Sequence, residues 1–136
     1  MFRFVVAHLR WLARVPGLPQ LFDAAMLAWT ALAHPARLAA MQEIEKRALA
    51  LPGIRLRVHR LGGTAFARGP RELGHLHGNG LLDLFVGHEE RDALVAAACA
   101  QPHHVFVQSG WISFWVHSEA DVPAALELLA AAAARV

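Results

Sequence analysis

Apolar and polar residues follow two different periods along the chain, and the change falls near residue 54. Residues 1–50 have a helical pattern, which prolines interrupt at VPGLP (15–19) and HP (34–35). From Pro35 the pattern predicts a helix that ends near Pro52-Gly53. The apolar side of this helix is expected to hold Leu38, Met41, Ile44 and Leu49.

From residue 54 apolar residues alternate with polar ones, so the period is two. In IRLRVHR, Ile54, Leu56 and Val58 share one face, which predicts a strand. Turn signals at Gly62-Gly63, Gly69-Pro70 and Ser109-Gly110 predict hairpins. HHVFVQ and WISFWVH are predicted to be strands joined by the last of these turns, and helices are expected at roughly 89–100 and 119–134. The order predicts an α+β fold: a mainly antiparallel sheet with helices packed on one face, preceded by an N-terminal helical segment.

Composition limits the classes of protein. A chain of 136 residues is long enough for one domain with a real core. Its apolar share of 56% is high and its charged share of 18% is low, which indicates either a membrane contact or a partner surface. A net charge of +2, without a stripe of basic and aromatic residues, gives no support to nucleic-acid binding. A single cysteine excludes an internal disulfide and makes a cytoplasmic location the default, so Cys99 is expected to be a small buried hydrophobe.

The change of pattern predicts two domains. Residues 1–50 form the helical segment, and residues 51–136 form the α+β domain. The apolar run at residues 21–33 is shorter than the ~20 residues needed to cross a bilayer. Trp11 and the neighbouring arginines suit a membrane interface. The segment is therefore expected to lie on a membrane, to pack against a second copy of the chain, or to pack on its own domain.

The segment LGHLHGNG (73–80) places two imidazoles close together among glycines. On a strand, His75 and His77 share a face, with Leu73 beside them, while Gly74 and Gly78 leave the backbone open to close approach. Three interpretations remain: an acid–base and substrate-positioning pair, two ligands of one metal ion, or structural histidines. A third metal ligand would have to come from Glu72, His59, Asp83, His103 or His104.

Each of the other candidate site residues gives a weaker signal when it is taken alone. His103 and His104 would face opposite sides of a strand, so at most one is expected to join His75 and His77. Trp111 and Trp115 share a face, as core residues or as an aromatic wall for a planar ligand. Arg60 is either solvated or a partner for an anionic oxygen. The sequence holds no phosphate-binding loop, zinc-finger spacing or dinucleotide fingerprint.

Four motifs together resemble the luciferase-like domain of many bacterial proteins and of the fungal luciferases of mushroom bioluminescence. They are H-R-x-G-G (59–63), E-x-G-H-x-H-G-x-G (72–80), P-H-H (102–104) and S-G-W (109–111), and Asp83 also matches. The resemblance covers roughly residues 54–130, with departures at Asn79 and Pro123. It implies an oxidoreductase that oxidises a hydroxypyrone with molecular oxygen through a peroxide that loses carbon dioxide, and an apolar N-terminal segment tied to membrane association.

The resemblance and the residues together give a set of expectations. The substrate is a small planar enolisable compound, oxygen is the co-substrate, and no cofactor is expected; a metal held by His75 and His77 is the alternative. A non-catalytic or metal-dependent binding domain on the same scaffold is the alternative function. The expected catalytic residues are His75, His77, His104 and Arg60, and the expected substrate-binding residues are His59, Glu72, Asp83, His103, Trp111 and Trp115.

Overall fold

The structure is a computed structural model that describes residues 15–135. Trp11, expected at a membrane interface, lies outside these residues. The helices are α1 (Leu18–Ala33), α2 (Pro35–Ala48), α3 (His88–Ala96) and α4 (Val122–Ala133). The strands are β1 (Ile54–Val58), β2 (Thr64–Arg68), β3 (Arg71–Leu76), β4 (Leu81–Phe85), β5 (Gln101–Pro102) and β6 (Trp111–Trp115).

The strands form one six-stranded sheet in the order β1-β2-β3-β4-β6-β5, and every neighbouring pair is antiparallel. Glycine turns close the first three hairpins, including Gly69-Pro70 between β2 and β3 and residues 77–80 between β3 and β4, where the N–H of Gly80 donates to the carbonyl of His77. The predicted α+β class and antiparallel sheet are confirmed.

The core lies on one face of the sheet. Leu82 and Leu84 of β4 and Ile112 of β6 point into it and are fully buried. Helices α2 and α4 supply the opposing layer, and Leu94 of α3 packs against its margin. The helices therefore cover one face, as expected, and Asp83 faces the other because side chains alternate along β4.

Two expected positions were wrong. Leu49 follows the end of α2 and is exposed. Leu73 turns into the core, away from His75, because a register irregularity between β2 and β3 places Gly74 opposite Phe66 but Glu72 opposite Ala67.

The helix expected to reach residue 100 ends at Ala96. Ala98 has φ 56°, and the N–H groups of Ala98 and Cys99 donate to the carbonyls of Val95 and Leu94. This is a Schellman C-cap, which stops the helix and turns the next residues outward. Cys99 is consequently exposed, which corrects its expected burial.

The expected strand HHVFVQ is also wrong. Only Gln101 and Pro102 pair with β6, and residues 103–110 form a loop instead of a tight Ser109-Gly110 turn. The N–H groups of Val105 and Phe106 donate to His103 Nδ1 at 3.0 Å each, and the loop thereby turns away from a sheet partner.

Pro123, one of the departures from the family pattern, fits the fold. A capping box between Ser118 and Asp121 begins a 3₁₀ turn (Glu119–Asp121), and α4 begins only at Val122. Pro123 therefore sits in the first turn of a helix, where its missing N–H costs nothing.

Helix α1 carries an exposed apolar face. Leu21, Trp29 and Leu32 are 66%, 65% and 83% exposed, and only Asp23 and Thr30 of this helix are buried. Residues 15–135 contain no helix with both the length and the apolar character that a bilayer crossing requires.

Candidate active site: a histidine cluster around Asp83

Asp83 occupies the middle of the sheet on the face away from the core. It pairs with His75 of β3 on one side and with Ser113 of β6 on the other. The Ser113 hydroxyl donates to Asp83 Oδ1 at 2.5 Å. Asp83 is 0% exposed, so its negative charge is stabilised by neighbouring groups and not by water.

Four imidazole nitrogens surround the other carboxylate oxygen, Asp83 Oδ2. His77 Nε2 lies 3.3 Å away, and the remaining three lie at 3.5–3.6 Å: His103 Nε2, His104 Nδ1 and His75 Nε2. The rings of His75 and His77 have centroids 4.8 Å apart, so the pair shares one face, as the sequence predicts.

Two further carboxylates contact the outer nitrogens of the same pair. His75 Nδ1 donates to Glu72 Oε1 at 2.8 Å, and His77 Nδ1 lies 3.4 Å from Asp23 Oδ1. His59 stacks on His75 with a centroid distance of 3.8 Å. Each central imidazole thus lies between an outer carboxylate and Asp83, which fixes the orientation of its ring.

Helix α1 reaches this cluster through close backbone contact. The N–H of Gly78 donates to Asp23 Oδ1 at 3.0 Å in a buried contact. A Cβ at Gly78 would lie 2.5 Å from the Asp23 carbonyl oxygen, and one at Gly62 would lie 2.4 Å from Asp23 Cβ. Only glycine lets the two turns approach the helix this closely.

His103 has a fixed tautomer. Its Nδ1 accepts the N–H groups of Val105 and Phe106, so the ring proton of the neutral form is on Nε2 and points toward Asp83. Burial, outweighing the attraction of Asp83, lowers the pKa of His103 to about 4. His103 is therefore neutral, and its Nε2 lies 3.5 Å from Asp83 Oδ2.

The remaining pKa shifts follow from burial and from the neighbouring charged groups. Burial alone would lower the pKa of His77, but the Asp23 and Asp83 carboxylates raise it to about 9. Burial would raise the pKa of Asp83, but its contacts with His104, His77 and Ser113 hold it far below the usual range. The pKa of His59 is lowered by burial and by the nearby His75. Burial would raise the pKa of Glu72, but the hydrogen bond with His75 and the charge of His59 lower it below its usual value.

Seven of the ten predicted site residues converge: His59, Glu72, His75, His77, Asp83, His103 and His104. Trp111 borders them, with its ring centroid 5.8 Å from that of His75. The expectation that only one of His103 and His104 would join was wrong, because the segment is a loop and the two rings stack at 4.4 Å.

Two predicted residues have no described contact with the cluster. Arg60 is exposed, and its carbonyl oxygen accepts a hydrogen bond from Gln20. Trp115 stacks near His117 instead.

Sequence reasoning missed Asp23 and the role of Ser113. Asp23 is the single charged residue of α1 and is 4% exposed. A lone carboxylate in an otherwise apolar helix was the available signal, because a buried charge needs a partner. Ser113 could have been found from the predicted face that it shares with Trp111.

The fold and the site define an α+β domain with a buried histidine–carboxylate cluster on the face of its sheet opposite the core. The model of the Luciferase domain family matches residues 70–132, which contain most of this cluster. The predicted resemblance to this family is confirmed for residues 70–132. No curated protein matches the chain, and no solved structure matches it.

Proposed function

We propose that the chain is an oxygen-consuming enzyme that acts on a small planar enolisable compound such as a hydroxypyrone. The observation that carries the proposal is the group of imidazoles around the buried carboxylate Asp83, next to Trp111, within the part of the chain that matches the Luciferase domain. Such a substrate needs a base, a partner for the resulting oxyanion, and a surface for its ring.

His104 is the proposed base. Asp83 lies 3.5 Å from His104 Nδ1, and a carboxylate at this position holds the ring proton on Nδ1 and keeps Nε2 ready to accept a proton. The side chain of His104 is 15% exposed, which is more than that of the other imidazoles next to Asp83. It is therefore the ring of this group that a substrate reaches most easily.

The positive charge of His77 is the proposed partner for the oxyanion. Its pKa of about 9 keeps the ring protonated at neutral pH between Asp23 and Asp83. A buried cation stabilises a developing enolate more than an exposed one does, because water does not screen it. The Trp111 indole supplies a flat apolar wall beside His75.

The proposed reaction balances with oxygen alone. His104 Nε2 takes the substrate hydroxyl proton, and the enolate carbon then donates an electron pair to O₂ to form a C–O bond. The peroxide anion takes back the proton from His104. Both oxygen atoms stay in the hydroperoxide, whose later breakdown depends on the substrate.

Oxygen uptake with a panel of hydroxypyrones tests this proposal. The wild-type chain should consume oxygen with at least one compound, and His104→Ala should lower turnover on the order of 10²-fold, a typical general-base contribution. His88→Ala, at an exposed position on α3, is the control and should keep wild-type turnover.

Circular dichroism must show that both variants fold. Absence of oxygen uptake across the panel would overturn the proposal. Saturable binding of a compound without oxygen uptake would favour a non-catalytic binding domain.

A further inference from the structure

We infer that His75 Nε2, His77 Nε2 and Asp83 Oδ2 bind one divalent first-row transition-metal ion. The inference deepens the proposed function at the same site and rests on it only for the identity of the reaction. Ferrous iron is the ion that two histidines and one carboxylate with open coordination positions typically hold.

The distances between ligand atoms support the site. Two atoms each about 2.1 Å from one ion lie about 3.0 Å apart at a right angle and about 3.4 Å apart at a tetrahedral angle. Asp83 Oδ2 lies 3.3 Å from His77 Nε2 and 3.6 Å from His75 Nε2, and the ligand atoms of the three residues lie within 4.8 Å of one another. An N–H···O hydrogen bond prefers the shorter range of about 2.7–3.2 Å.

The surroundings of the three ligands also match a metal site. Metal-binding histidines usually donate their second nitrogen to a carboxylate or carbonyl, which orients the ring. His75 has Glu72 in that position at 2.8 Å, and His77 has Asp23 at 3.4 Å. Ser113 holds the other oxygen of Asp83. Each of the three ligand residues is therefore oriented by a contact to the atom that does not face the ion.

Two other groups of residues are less suitable. Asp83, His103 and His104 also lie close enough together, but His103 Nδ1 accepts two backbone N–H groups, so its Nε2 carries a proton and cannot coordinate. In the group of His59, Glu72 and His75, the 2.8 Å contact between Glu72 and His75 Nδ1 is already a hydrogen bond.

An ion at this position fits the proposed reaction. It would take the place of the proton on the inner nitrogen of His77 and keep a positive charge beside the substrate oxyanion. His104 is outside the ligand set, so its role as a base is unchanged.

Cobalt(II) and anaerobic ferrous iron are the probes, added to the 136-residue chain after treatment with a chelator. Isothermal titration and the cobalt absorption bands should show one ion per chain. His77→Ala and Asp83→Asn should weaken binding by on the order of 100-fold or more, and Glu72→Gln should weaken it about 10-fold by loosening His75.

Glu89→Gln, on the exposed side of α3, is the control and should bind as the wild type does. Glu72 is 37% exposed, so Glu72→Gln tests the site even if the variants of buried ligands do not fold. No saturable binding by the wild type, or unchanged binding in His77→Ala and Glu72→Gln, would overturn the inference. Because binding is measured without substrate, absence of oxygen uptake would count against the proposed function and not against the metal site.

Discussion

Replacing Asp23 by alanine tests how helix α1 is held against the site. Two contacts are lost: the buried hydrogen bond from the Gly78 N–H at 3.0 Å and the contact with His77 Nδ1 at 3.4 Å. An unsatisfied buried N–H costs about 1–3 kcal/mol, and a hydrogen bond to a charged group contributes about 1.5–3 kcal/mol. The longer His77 contact belongs at the low end of that range.

The free energy of unfolding of Asp23→Ala should therefore fall by about 3–5 kcal/mol, the range seen when one partner of a buried ion pair is removed. For a chain of this size that corresponds to a melting temperature roughly 10–17 °C lower. Asp23→Asn should lose less, about 1–3 kcal/mol, because its amide oxygen still accepts the Gly78 N–H.

Urea unfolding, followed by tryptophan fluorescence and circular dichroism in the presence of a chelator, gives both values. Asp92→Ala is the control: Asp92 lies on α3 with a side chain 65% exposed, and its replacement should change stability by less than about 0.5 kcal/mol. If Asp23→Ala destabilises no more than Asp92→Ala, the contacts of Asp23 do not hold the helix. If the Asn and Ala variants are equal, the hydrogen bond to Gly78 contributes nothing measurable.

The exposed positions give two further predictions. Cys99 should react with a thiol reagent in the folded protein at one equivalent per chain. Cys99→Ser should change the free energy of unfolding by less than about 0.5 kcal/mol. If the thiol reacted only after unfolding, the exposed position of Cys99 after α3 would be contradicted. We also propose that the apolar face of α1 contacts membranes, so Leu32→Glu should weaken sedimentation with phosphatidylcholine–phosphatidylserine vesicles, while Leu49→Glu, also at an exposed leucine, should not. Equal binding by all three proteins would contradict this proposal, and a change in oligomeric state in Leu32→Glu alone would indicate a second copy of the chain as the partner.

Predictions from local sequence fail at two places in the fold, the loop after His103 and the end of α3. Valine and phenylalanine favour a strand at residues 103–108, but the His103 ring takes the N–H groups that a strand would need. Ala98 adopts a positive φ that its residue type disfavours, so the end of α3 could not be predicted from an alanine-rich run.

The sequence by itself determined the antiparallel sheet, the turns of its first three hairpins and half of the site. A period of two sets which residues share a face, and it therefore placed His75 beside His77 and Asp83 away from Leu82 and Leu84. Glycines at the turns set where the first hairpins close, because positive φ angles favour glycine.

Only the tertiary structure decided which groups surround Asp83. His104 and Asp23 reach the cluster from a loop and a helix that are distant from β4 in the sequence. The period of apolar residues does not predict contacts between such distant segments. The physical reason is the buried carboxylate. Its charge must be balanced by whatever donors the packed elements bring within a few ångströms, and that balance exists only after the sheet, α1 and the loop have come together.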